Sequence, residues 1–431
     1  MSDSEAAQTA SFEFKLWDLV LLLMTAWLAR VAVIWILPAG AYSLDVRNFG
    51  IIVQELAAGN NPYKTTYFLN APPFWMQILW VLAKVSEFSN LSLHRLIQVF
   101  LVLVESAVII VLYFSGLKFR SSREVYRILN WSISLNPASV LLICQHSQFD
   151  PLVGLIVLGA VIFIARFSQG NCELDWLTAA FLVGAGILVK TVPLALIVLL
   201  AFGLGRLRWQ ALFIGGALLF GPVLVGLSVV YVMAPAEVTE RVIEYGSVPG
   251  FFGVTGLIGL LGREEFFGTY HKIFFTVFLT ILVVSTGLMR KLVRLPLELI
   301  LAISVFLLAL IAGFGPGFGH QYLYWFLPLL VLQYMVCGSE GRRVITFFLV
   351  IASLTYLVDY AFAASLGAFL KDYFGNSFLA RLGGFISSPR GQTIVNLPLF
   401  AVWAGLVVWE GYLALLFLRR AMVCRAPYCK G

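Results

Sequence analysis

The stretch Pro72-Pro73-Phe74-Trp75-Met76-Gln77-Ile78-Leu79-Trp80-Val81-Leu82-Ala83-Lys84-Val85-Ser86-Glu87 decides how the rest of the chain is arranged. As a membrane span it is short, bounded by the proline pair and by Lys84 and Glu87. As an amphipathic helix lying in the interface it contributes no crossing. The choice reverses the side of the membrane on which every later loop lies.

The interfacial reading leaves about twelve apolar runs of spanning character. They are Leu16–Leu37, Leu93–Ser115, Ile128–Cys144, Leu152–Phe167, Trp176–Val189, Leu194–Gly205, Leu212–Met233, Ile273–Gly287, Leu297–Ala312, Leu323–Cys337, Val344–Ala363 and Leu397–Leu418. With the N-terminus inside, Lys118–Arg127, Arg166–Asp175, Arg206–Arg208, Arg290–Arg294, Arg342-Arg343 and the tail from Arg419 all fall on one face, as short basic loops do on the cytoplasmic side. The spanning reading puts nearly all of them outside. The interfacial helix is therefore preferred, within a first outer loop over residues 40–92.

Composition requires the same class. Hydrophobic residues make up 61% of the 431 positions and charged residues only 12%, and the mean hydropathy is +0.93. A soluble domain of this length must present a polar surface, and a membrane barrel would show short alternating segments in place of long continuous runs. The chain reads as an all-α polytopic membrane protein forming a single domain. Its N-terminus lacks the pattern of a cleaved signal peptide, so Leu16–Leu37 reads as a retained span. The net charge of +7 fits basic loops facing an anionic leaflet rather than nucleic acid. The five cysteines have no framework spacing.

The polar residues of unusual character gather on the predicted outer face. Asp45 follows the first span, and Gly59-Asn60-Asn61-Pro62-Tyr63 predicts a sharp helix end that fixes its loop. His146, Gln148 and Asp150 form a dense polar cluster between two apolar runs, with Asp150-Pro151 able to start the next helix. Such a cluster exceeds what a turn requires, and ionisable groups at membrane depth are candidates for function. Lys190 could snorkel to headgroups, or hold a phosphate as a point charge. The glycine-rich run from Gly315 to Gly319 leads into His320, Gln321, Tyr322, Tyr324 and Trp325. The aromatics there read as an interfacial belt, above all Trp325, while His320 and Gln321 could bind an anionic or sugar group. The outer loop 234–272 reads as a flap over an interfacial cavity and contributes Arg263 as a candidate phosphate ligand. The four histidines are too scattered for a metal site.

These pieces resemble the GT-C superfamily of polyprenyl-phosphate-sugar-dependent glycosyltransferases, in its bacterial mannosyltransferase-like branch. The resemblance is carried by Asp45 with Gly59-Asn60-Asn61-Pro62-Tyr63 and Pro72-Pro73, by Gln148-Phe149-Asp150, by Lys190 with Pro193, and by His320-Gln321-Tyr322 through Trp325 and Pro328. The run Tyr245 to Gly253 resembles the flap loop of such enzymes. The resemblance implies Asp45 as the base that deprotonates an acceptor hydroxyl. On this reading Lys190, Arg263, His320, Gln321 and Tyr324 bind the donor phosphate or sugar, and His146, Gln148, Asp150 and Tyr63 support the site or the acceptor. It implies a polyprenyl-phosphate-linked sugar donor, most simply mannose, and a glycolipid or glycan acceptor hydroxyl attacked with inversion at the outer face of a bacterial plasma membrane. Leu44-Asp45-Val46 lacks the paired carboxylates of a metal motif, so no cofactor is expected. A transporter or lipid flippase is the rival class; it would bring polar residues to the midplane, often from two related halves.

Overall fold

The computed structural model describes residues 3–36, 44–66, 69, 72–170, 172–240, 252–292, 294–315, 319–359, 381, 384–385 and 388–423. Helices account for its regular structure, with no strand among the described residues. A bilayer offers backbone groups no water, so a chain this apolar must satisfy them within each segment. In order the helices are α1 (Asp3–Ile36), α2 (Leu44–Ala57), α3 (Pro62–Thr65), α4 (Pro73–Ser89), α5 (Leu93–Gly116), α6 (Ser122–Leu129), α7 (Pro137–Leu141), α8 (Asp150–Gly170), α9 (Glu173–Val189), α10 (Ile197–Leu200), α11 (Trp209–Met233), α12 (Pro235–Val238), α13 (Gly253–Leu260), α14 (Phe267–Lys291), α15 (Leu297–Phe314), α16 (Leu327–Val336), α17 (Ser339–Tyr356) and α18 (Pro389–Val423).

Eight helices among the described residues are long and apolar enough to cross a membrane, and the count reaches nine if the pair Ser122–Ser134 and Pro137–His146, bent by 48°, is one span. The chain is an integral, multi-pass membrane protein. The expected count of twelve is not reached by this measure. The runs around Trp176–Val189, Leu194–Gly205 and Leu323–Cys337 form shorter helices: α9 has 17 residues, and the segments 192–205 and 327–336 are shorter still. Pro193 and Pro328 lie at the starts of the two shortest. Most of 192–205 is wound as 3₁₀ helix, whose greater rise per residue stretches it to about 26 Å.

The core lies around α5, α8 and α15, whose spans are mostly buried, while α11 and α14 are mostly outward-facing. α15 packs along α18, α8 along α9, and α9 along α11. The last contact is intimate because Gly184 presents no side chain to the backbone of Leu218 and Leu219.

The run beginning at Pro73 forms α4, ended at Asn90 by a left-handed residue at φ 57°. One face, Trp75, Met76, Leu79 and Ala83, is buried against the bundle. Phe74, Val81, Val85 and Phe88 point outward beside the Lys84–Glu87 ion pair at 2.8 Å.

Candidate active site

Asp45 stands in the first turn of α2, where the positive end of the helix favours a carboxylate. Val46, Phe49 and Ile52 recur on one face of α2 and are buried. Phe49 meets Trp75 of α4 edge-on at 5.4 Å. The far end stops as its residues require: Gly59 takes φ +76°, and Asn61 caps α3 by accepting the Tyr63 N–H at 3.1 Å. Tyr63 is fully buried beneath this loop.

The 146–150 turn completes the carboxylate's surroundings. π-helical turns at 130–134 and 142–146 close the two halves of the bent helix pair, and Ser147 ends it in a left-handed conformation at φ 54°. Single π turns commonly re-aim side chains at functional sites. Here the ring of His146 lies 3.1 Å from Asp45 Oδ2, and Gln148 bonds the same carboxylate. Phe149 packs on Trp75 at 4.7 Å, holding the turn against α2 and α4. Burial alone would raise the Asp45 carboxyl, but the hydrogen bonds and charge of His146, the Gln148 bond and the charge of Lys190 hold it below its ordinary value of 3.8. At 40% exposure the carboxylate is ionised and open to an incoming group.

Asp150 begins α8 with Pro151 behind it, as the sequence leads one to expect. Its side chain is fully buried. Oδ1 accepts from Lys190 Nζ at 3.0 Å and from the Trp325 indole N–H at 2.6 Å. Lys190 follows α9 in extended conformation. It turns inward rather than snorkelling, and its ammonium lies 4.0 Å from the ring centre of Tyr322, 4.9 Å from that of Trp325 and 5.1 Å from that of Phe149. Tyr322 and Trp325 stack at 4.1 Å. Trp325 is thus a buried ligand of Asp150, not a member of an interfacial belt. Its i,i+3 spacing from Tyr322 is the sequence signal, because 3₁₀ winding over 320–325 puts such residues on one face. Gly154 allows this approach: a Cβ there would meet the Tyr324 carbonyl oxygen at 2.5 Å.

Two other expected site residues lie apart. Tyr324 is fully buried and donates its hydroxyl to Glu105 Oε1 at 2.8 Å, away from the Lys190 cage. Arg263 is exposed beside Glu265, 3.4 Å away. Gln321 folds over Gly319, whose bare backbone leaves room for its amide. The His320 side chain, residues 316–318 and residues 241–251 of the expected flap lie outside the described residues.

Sequence reading missed the network around Glu105. Arg30, less than two turns from the C-terminal end of α1, pairs with Glu105 through Nε at 2.6 Å, and both are buried. Ser139 also donates to Glu105, and Arg30 reaches the carbonyls of Ser134 and Ile133. The signal was present, since a charge inside an otherwise apolar span needs a partner.

No protein-family model and no curated protein matches the chain. A solved structure does: ArnT from Cupriavidus metallidurans bound to undecaprenyl phosphate, at a TM-score of 0.51 and 15% identity, covering 92% of this chain and 77% of that one. The chain has the GT-C fold. Within the GT-C bundle, Asp45, the 146–150 turn, Lys190 and the 320–325 segment come from distant parts of the sequence and meet at one end.

Proposed function

We propose that this protein is a membrane glycosyltransferase that moves a sugar from a polyprenyl-phosphate donor to an acceptor hydroxyl. The observation that carries this reading is the half-exposed Asp45 carboxylate, held ionised by His146 and Gln148 beside a caged Lys190, at one end of a GT-C bundle. The ArnT structure with its bound undecaprenyl phosphate supports a polyprenyl-phosphate donor.

In this reaction Asp45 accepts the proton of the acceptor hydroxyl as its oxygen attacks the anomeric carbon. The bond from that carbon to the phosphate oxygen breaks, leaving polyprenyl phosphate and an inverted glycoside. Asp150 takes one of the three N–H donors of Lys190; the others can face the departing phosphate, with Gln321 and His320 as further candidate donors. Arg263 can join them only if its loop moves toward the cluster. The basic loops at the opposite ends of the helices support an outer-face site, with α4 in the interface and the 234–272 segment as a flap. We take mannose as the sugar and a glycolipid or glycan as the acceptor.

The test uses purified protein in vesicles with labelled polyprenyl-phosphate mannose, glucose and pentose. Transfer that persists in Asp45→Asn refutes the base. Absence of transfer from every donor refutes the reading.

A further inference from the structure

The gap between α14 and α18, floored by α15, is an apolar groove of about 640 Å³. α14 packs on the 201–205 turn and α18 along α15, and the two leave a channel over Phe306 and Leu307. Of its few polar lining groups, the Thr280 hydroxyl is bonded to the Thr276 carbonyl at 2.8 Å. The groove extends from Thr280 to Met289 on α14 and from Val407 to Leu418 on α18. At the helical rise these stretches advance about 14 Å and 16 Å, close to the roughly 15 Å hydrocarbon depth of one leaflet.

Its mouth is basic. Arg290 and Lys291 follow Met289 directly, Arg294 lies in the next loop, and Arg419 and Arg420 follow Leu418. All five are exposed, and none is in an ion pair among the described residues. Basic loop ends alone mark many cytoplasm-facing helices. Here they stand at the rim of an apolar slot one leaflet deep, at the end of the bundle opposite Asp45. That pairing calls for a ligand with an anionic head and a hydrocarbon tail of leaflet length.

We propose that this groove is a binding site for an anionic diacyl phospholipid of the leaflet opposite the Asp45 site, its phosphate on the Arg290, Lys291, Arg419 and Arg420 rim and an acyl chain along α15. The site stands independently of the glycosyl-transfer reading.

Delipidated protein in detergent, titrated with phosphatidylglycerol or phosphatidylcholine and read by native mass spectrometry, tests it. Wild type is expected to retain phosphatidylglycerol about tenfold better. The variant Arg290→Gln/Lys291→Gln/Arg419→Gln/Arg420→Gln, changed only at exposed positions, is expected to bind the two lipids equally. Ala414→Trp, which fills the slot, is expected to weaken both at least fivefold, on the order of a lost acyl-chain contact. Equal retention of the two lipids by wild type, or selectivity that survives the fourfold neutralisation, overturns the proposal. So does a polyprenyl phosphate that displaces phosphatidylglycerol at equal concentration, since the slot then serves that lipid. If Ala414→Trp fails to fold, the four-charge variant decides alone.

Discussion

Lys190→Met should destabilise the protein more than Asp150→Asn, although each breaks the same ion pair. At 3.0 Å the gross attraction of the pair is about 5–6 kcal/mol for an effective dielectric near 20. Removing one partner of a buried pair typically costs 3–5 kcal/mol because the other charge is stranded. Lys190→Met strands Asp150, which is fully buried, keeps only the Trp325 N–H, and has no hydrogen-bond partner for Oδ2 among the described residues. A loss of about 4–5 kcal/mol follows. Asp150→Asn strands Lys190, but that ammonium is 18% exposed and lies over Tyr322, Trp325 and Phe149. Contact with those rings offsets about 1–2 kcal/mol, leaving a loss of about 2–3. In the double variant the introduced amide still accepts from Trp325 and the introduced thioether fills the aromatic cage, so the cost should fall to about 1 kcal/mol. SDS-driven unfolding of the detergent-solubilised protein, followed by circular dichroism, measures all three. Losses that add to within about 0.5 kcal/mol in the double variant refute the buried pair, and a milder Lys190→Met refutes the cage.

Removing His146 takes away both its hydrogen bond and its charge, which oppose the upward effect of burial on Asp45. His146→Ala should therefore move the acid limb of kcat/KM to higher pH than in wild type; an unmoved limb excludes the coupling. The same depression makes Asp45 a source of stability above pH ~4 that disappears as pH falls through its folded pKa, and His146→Ala should flatten that dependence in unfolding experiments. Tyr324→Phe removes a hydroxyl from a buried carboxylate and should cost about 1.5–3 kcal/mol while leaving KM for the sugar donor within about twofold. A large rise in KM would return Tyr324 to the donor site. Gly154→Val drives a branched side chain toward the Tyr324 carbonyl and should cost about 1–3 kcal/mol. A crystal or cryo-EM structure with the 320–325 segment undisplaced would contradict it.

Local patterns carried much of this protein. Apolar runs of spanning length imposed helices, because a bilayer leaves no other way to satisfy the backbone. The positions of basic loops alone grouped Asp45, His146, Asp150 and Lys190 at one end, and the structure brings these four together. The turns at Gly59 and Asp150-Pro151 were legible because their residues restrict the backbone directly. Partner choice was not. Tyr322, Tyr324 and Trp325 are neighbours in sequence, yet two enclose Lys190 and the third bonds Glu105, because 3₁₀ winding sends them to different sides. The break at 48° and the π turns that aim His146 also depend on packing, not on propensity. Composition and charge order could therefore determine the class of the protein and the end of the bundle where these four residues meet. Which carboxylate meets which cation depends on how distant helices pack, and only the tertiary structure decided that.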